Sequence, residues 1–189
     1  MNVFEAILGM RSVRDYTSEQ VDAKKVPSLI EAAAMAPTAT NREACAFTII
    51  QDVALLQHLS DLTKLLFSKH PQHHHSSELD HFIKPEFNIF YGATTLIIIC
   101  VNKDKPRAVA DCWLAAENVM LAAFAMGLGS CVAESALLAL NDKQQKINLG
   151  IADEFEAIVP IVVGYANAHT VPTRRKRPFI LNWFKTNIA

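Results

Sequence analysis

The sequence predicts one domain that interleaves α-helices with buried β-strands. Three observations lead there. The segments 47–50, 94–101 and 158–163 are short apolar runs rich in β-branched residues, the composition of strands covered on both faces. Before and between them lie stretches with apolar residues at helical spacing, such as Val26, Leu29, Ile30 and Ala33. The chain has 189 residues, 51% of them apolar and 20% charged, which is ample for one core and fits a subunit that buries further surface in an oligomer. The formal net charge of −1 gives no electrostatic case for nucleic acid or a membrane surface. No apolar run approaches the roughly 18 residues needed to span a bilayer, and the N-terminus does not read as a signal peptide.

The elements follow in order. Asn2 with Glu5 forms a capping-box start, and Val3, Phe4, Ile7 and Leu8 give that first helix an apolar face to bury. Asp22 is expected to cap a second helix that reaches Met35 and stops at Pro37. A strand over Phe47–Ile50 leads to Asp52, the N-cap of a helix through Leu55, Leu59, Leu62 and Leu66. Residues 68–90 are irregular and read as a lid-like insertion with its phenylalanines turned inward. The central strand, 94–101, precedes a helix opened by Asp111 and running to Met126, whose interior is apolar apart from Glu117 and Asn118. Gly127-Leu128-Gly129-Ser130 closes it, and Cys131–Glu134 continues extended. A short helix over 141–149 precedes the strand Ile158–Val163. Residues 172–189 form a basic and then apolar tail whose Phe179, Ile180, Leu181, Trp183 and Phe184 need a cover, such as a neighbouring subunit.

Several of these pieces could carry chemistry. Arg11-Ser12-Val13-Arg14 sets two guanidiniums around a hydroxyl, a donor set suited to phosphates and carbonyl edges. In isolation it reads more readily as a solvated loop with two surface arginines. Pro37-Thr38-Ala39-Thr40-Asn41 offers hydroxyls and an amide to a heterocycle edge or a phosphate, or is an ordinary turn. Gly127-x-Gly129 lacks the preceding strand and following helix of a dinucleotide fingerprint. His70, His73, His74, His75 and His81 cluster without Cys or paired carboxylates at ligand spacing, so no metal site is predicted. Cys45, Cys100, Cys112 and Cys131 are scattered with no close pair, the pattern of reduced thiols in a cytoplasmic protein. In an extended tail Arg174 with Lys176, or Arg175 with Arg177, would share one side as a phosphate clamp.

Taken together and in this order, the pieces resemble the nitroreductase-like flavoproteins. The resemblance rests on Arg11-Ser12-x-Arg14, the Ala-rich helix into Ala36-Pro37-Thr38-x-x-Asn41, Gly92-Ala93 before an apolar strand, Glu117-Asn118, Gly127-Leu128-Gly129, and Gly164-Tyr165 before a basic tail with Pro178. It implies an α+β fold whose mixed, mostly antiparallel sheet lies between helices. It also implies a homodimer with swapped C-terminal tails and FMN at the subunit interface. On this resemblance Arg11, Ser12 and Arg14 contact phosphate and ring edge, and Thr38, Thr40 and Asn41 contact FMN from the second turn. Cys131, Val132, Ala133 and Glu134 lie beside the isoalloxazine, and Pro178 selects Arg174 and Lys176 for the phosphate. The chain departs from the family pattern at Met10, where a basic residue is usual. It departs again at Glu43-Ala44-Cys45, which replaces Gln-Pro-Trp, and in its short His-rich insertion.

The implied activity is FMN-dependent hydride transfer from NAD(P)H to a small acceptor such as a nitroaromatic or quinone. Such chemistry asks the protein for position, donors and cations rather than a side-chain acid or base, and no catalytic residue is named. Two alternatives accompany it. One is a flavin-binding relative that fragments flavin, dehalogenates a substrate or merely carries flavin. The other is a non-enzymatic dimeric interaction protein.

Overall fold

The computed structural model describes residues 1–38, 45–69, 82, 84–105, 108–168 and 176–184. Its frame is a four-stranded sheet in the order β1-β2-β4-β3, with β1 at Cys45–Ile50, β2 at Thr95–Asn102, β3 at Gly129–Val132 and β4 at Phe155–Gly164. Every strand pair is antiparallel. β2 lies inside the sheet, and its strict alternation builds two cores. Leu96, Ile98 and Cys100 point into a layer with Leu56, Leu59 and Phe90. Ile97, Ile99 and Val101 point into the opposite layer with Leu29, Cys112 and Val119. This explains the unbroken apolar run: both faces of β2 are covered by helices.

Helix α1, Val3–Gly9, starts with the expected capping box, in which Glu5 N–H donates to Asn2 Oδ1 at 3.0 Å and Asn2 N–H to Glu5 Oε2 at 2.8 Å. Its apolar face is not buried within the chain, contrary to the sequence expectation. Only Ala6 is buried, while Phe4 and Leu8 are 71% and 72% exposed. The helix docks through small residues instead. A Cβ on Gly9 would lie 2.5 Å from Phe124 Cζ, so the bare glycine leaves room for the tip of the Phe124 ring from the neighbouring helix.

Helix α2 is Val26–Ala34 and begins later than Asp22 suggests. Asp22 makes a turn instead, accepting Lys24 N–H on its side chain and Lys25 N–H on its carbonyl. Pro27 sits in the first helical turn, where a missing donor costs little. Helix α3, Val53–Lys69, is capped by Asp52 as expected, with Oδ1 accepting from Ala54 and Leu55.

The described end of the 68–90 stretch is anchored on α3, with Ile89 and Phe90 buried and residues 84–86 exposed. Buried Lys64 of α3 donates to the carbonyls of Pro85 and Phe87, and Ser60 Oγ accepts from Ile89 N–H. Phe82 packs edge-on against Phe67 and beside Phe87. The five histidines of this stretch lie outside the described residues.

Helix α4, Val109–Ala125, packs on α2, where Asn118 Nδ2 donates to Ala32 O at 3.0 Å. Gly127 ends it at φ +75°, a left-handed position suited to glycine. The short helix expected over 141–149 forms as α6, Lys143–Asn148, with Asp142 as its N-cap, and a further helical turn, α5 at Leu137–Leu140, precedes it. Between them Asn141 acts as a surrogate strand. Its amide donates to Ala157 O and its Oδ1 accepts Ala157 N–H, both at 2.9 Å, closing β4 where β3 does not reach.

Candidate functional site

The segment 11–17 is stitched to the far ends of β3 and β4. Ser12 forms a parallel bridge with Ser130, and Tyr16 an antiparallel one with Ala166. Val13 N–H donates to Ser130 O at 3.0 Å, and Thr17 N–H to Tyr165 O at 2.9 Å. Two glycines permit this approach. A Cβ on Gly129 would sit 2.7 Å from Val13 Cγ2, and one on Gly164 would sit 2.8 Å from Tyr16 Cδ1. Thus the Arg-Ser turn, the Gly127–Gly129 turn, the Cys131 run and Gly164-Tyr165 form one locus.

Within it, Arg11 Nη1 donates to Leu8 O at 2.8 Å and Met10 O at 2.7 Å, so half of its fork closes the end of α1. Its Nε is buried with no partner among the described residues, as is Tyr16 Oη. Buried donors without partners are costly, about 1–3 kcal/mol each, and two on one short segment mark it as one where a ligand would relieve the cost. Burial pushes the Tyr16 phenol well above its usual range, with Cys131 and Tyr91 adding to it and Arg14 opposing, so Tyr16 stays a neutral donor. Arg14 itself is exposed.

The extended run divides by direction. Cys131 and Ala133 are buried, and Ala133 N–H already donates to Pro160 O at 2.9 Å. By alternation along the edge strand, the Val132 amide faces outward, away from β4. Glu134 is exposed at the head of a short 3₁₀ turn, Glu134–Ala136. Glu134 and Ser135 line an open pocket of about 700 Å³ together with Trp113, Leu138 and Asn141.

Thr38 is elsewhere. It lines a separate pocket of about 650 Å³ with Met35, Cys45, Phe47 and Asp111. That pocket is at the Cys45–Val101 end of the sheet, whereas Ser130 aligns through Val163 with Thr95 at the other end. The six-residue difference along β2 is about 20 Å at 3.3 Å per residue. Thr40, Asn41 and Arg174 lie outside the described residues, and Lys176 is exposed.

A model of the Nitroreductase family matches residues 7–165. The chain belongs to the nitroreductase family. The match runs from the last turn of α1 through β4. A nitroreductase from Bacteroides fragilis NCTC 9343, solved with bound FMN, superposes with TM-score 0.85 at 24% identity, over 97% of this chain and 98% of that one. An oxidised iodotyrosine deiodinase solved with FMN and 3-iodo-L-tyrosine superposes with TM-score 0.74 at 19% identity, over 97% of this chain and 100% of that one. A putative NADH dehydrogenase/NAD(P)H nitroreductase from Methanothermobacter thermautotrophicus is 26% identical over 134 residues, 69% of this chain. This nitroreductase-family chain spans only about three fifths of that relative, the match covering 59% of its length.

Two features escaped the sequence reading. Lys25 Nζ donates to Tyr165 Oη at 3.2 Å and lies 5.2 Å from its ring centroid, bracing the site from α2's entry. Cys45 and Cys112 bring their sulfurs to 3.2 Å, although 67 residues separate them. Nothing in local spacing signals either contact. Among the described residues no helix is long and apolar enough to cross a membrane.

Proposed function

We propose that the protein is an FMN-dependent oxidoreductase that takes reducing equivalents from NAD(P)H and passes them to a small acceptor such as a nitroaromatic or quinone. The observation that carries this reading is the pair of unpartnered buried donors, Arg11 Nε and Tyr16 Oη, on a cationic segment zipped to an edge strand with an outward amide. Such a donor set fits a phosphorylated planar heterocycle. The FMN bound in the B. fragilis relative supports the choice of cofactor.

When bound, FMN accepts a hydride and releases electrons to a second substrate, chemistry that the cofactor itself supplies. This chain's residues hold and polarise. Arg11 and Arg14 balance phosphate charge, with Arg174 and Lys176 of the tail as the second jaw. Ser12 contributes a hydroxyl to that cradle. The Val132 amide, in the run from Cys131 to Glu134, offers a fixed donor to the ring. Thr38, Thr40 and Asn41 complete the site from a second copy of the chain. The placing of the Thr38 pocket at the Cys45–Val101 end of the sheet and of the Arg-Ser turn at the opposite, Ser130–Val163 end supports a homodimer in which one copy's Thr38 face meets the other's arginines. The open apolar surfaces point the same way: Phe4 and Leu8 on α1, and Phe179 and Phe184 in the tail at 88% and 93% exposed. The free thiols fit a cytoplasmic setting.

The test is a titration of the apoprotein with FMN, followed by quenching of flavin fluorescence and by thermal shift. Saturable quenching near one FMN per chain with a raised Tm supports the reading, and no binding at tens of micromolar FMN defeats it. The replaced Gln-Pro-Trp and the fold shared with iodotyrosine deiodinase favour one second reading, reductive dehalogenation on the same flavin. Turnover of a halophenol but not of nitroaromatics or quinones would select it.

A further inference from the structure

We propose that Cys45 and Cys112 form a reversible thiol–disulfide couple, oxidised by hydrogen peroxide, at the wall of the Thr38 pocket. The proposal does not depend on flavin. Both cysteines are free thiols, and their sulfurs lie 3.2 Å apart across the start of β1 and the first turns of α4. A disulfide needs about 2.05 Å, so bonding asks for roughly 1 Å of further approach, which side-chain rotation can supply.

The two positions are unequal in the way a sensing pair requires. Cys45 is half-buried and lines the pocket of about 650 Å³, so a small oxidant can reach it. Cys112 is fully buried behind it, on the layer that packs α4 against the sheet. The hydrogen bond between the two sulfurs lowers the Cys45 pKa, while the same contact and burial raise that of Cys112. Cys45 is therefore the thiolate that attacks, and Cys112 keeps its proton until the second step.

The chemistry balances. Cys45 thiolate attacks one peroxide oxygen, the O–O bond breaks, and hydroxide leaves and takes up a proton to become water. Cys45 is then a sulfenic acid. Cys112 sulfur attacks it, the S–O bond breaks, a second water leaves and the S–S bond forms. Two thiols are oxidised by two electrons while one peroxide is reduced to two waters. A small dithiol reverses the step by exchange.

The test uses the full-length wild-type chain. The protein is exposed to hydrogen peroxide at neutral pH, alkylated, digested without reductant and mapped by mass spectrometry. The expected product is a peptide pair linking Cys45 to Cys112 within one chain, with titratable thiols falling from the four of the sequence to two and returning with dithiothreitol. In Cys112→Ala, Cys45 should persist as a sulfenic acid and react with dimedone. In Cys45→Ala, the remaining thiols should survive the same exposure. Linkage of Cys45 to Cys100, an intersubunit crosslink, or four thiols left intact by peroxide that oxidises free cysteine would each overturn the proposal. The peptide map needs only the wild-type protein, so a variant that fails to fold does not blunt it.

Discussion

Val13 donates its backbone N–H to the carbonyl of Ser130 at 3.0 Å, which ties the cationic turn to the edge strand. Residues far apart in sequence become neighbours there. Gly129 allows it, since its missing Cβ leaves room for Val13.

Gly129→Ala should therefore disturb the site through packing alone. The new methyl would lie 2.7 Å from Val13 Cγ2, and overpacking of this kind costs about 1–3 kcal/mol. Thermal melts should show lower stability, and FMN affinity should fall with it. Val13→Gly in the same chain, which removes the Cβ at 2.9 Å along with Cγ2, should recover part of both losses, as coupled neighbours do. Purely additive effects in that double-mutant cycle would contradict the contact.

Arg14→Ala should weaken FMN retention by about 10- to 100-fold, the worth of a charge-assisted hydrogen bond. The side chain is exposed, so the melting temperature of the apoprotein and the oligomeric state by light scattering should not change. Unchanged retention would remove Arg14 from the site.

Tyr16→Phe separates ligand binding from folding. The hydroxyl is buried without a partner among the described residues, so its removal should stabilise the apoprotein by about 1 kcal/mol. If a bound ligand satisfies that hydroxyl, the same change should weaken FMN binding several-fold. Opposite signs in the two assays are the expected signature.

Asn141→Ala should unfold more easily by about 2–4 kcal/mol, because it strands both backbone groups of Ala157. For a chain of this size that is a drop in Tm of roughly 4–16 °C. Asn141→Asp keeps the acceptor for Ala157 N–H but sets an acceptor oxygen against Ala157 O, so it too should be less stable than wild type.

Alkaline pH should destabilise the fold. Burial pushes the Cys100 thiol from 9.0 up to about 11. A raised folded-state value means that the native state keeps its proton after the unfolded chain has lost it. The stabilisation is then complete below pH 9 and is lost progressively as pH rises towards 11, at most about 3 kcal/mol. Tyr16 contributes with the same sign at higher pH. Urea unfolding at a series of pH values should show this fall, and Cys100→Ala should flatten it between pH 9 and 11.

The parts of this molecule written in local pattern were legible in sequence. The capping box at Asn2, the cap at Asp52 and the two-sided burial of β2 all follow from side-chain chemistry within a few residues. What depends on three-dimensional return was not. Asp22 reads as a helix cap, but Pro27 shifts the helix start and leaves Asp22 in a turn. The apolar face of α1 reads as core, yet within one chain it faces outward. The turn at Arg11 to Arg14 was nominated by residue type, while its union with Ser130 depends on pairing across the whole chain. The Cys45–Cys112 contact had no sequence signal at all.

The most direct test of the central claim is the visible spectrum of the FMN-loaded protein, taken anaerobically before and after NADPH or NADH. The account predicts a flavin band that bleaches with at least one nicotinamide and returns when a quinone or nitroaromatic is added. A bound flavin that keeps its oxidised spectrum with both nicotinamides would contradict it.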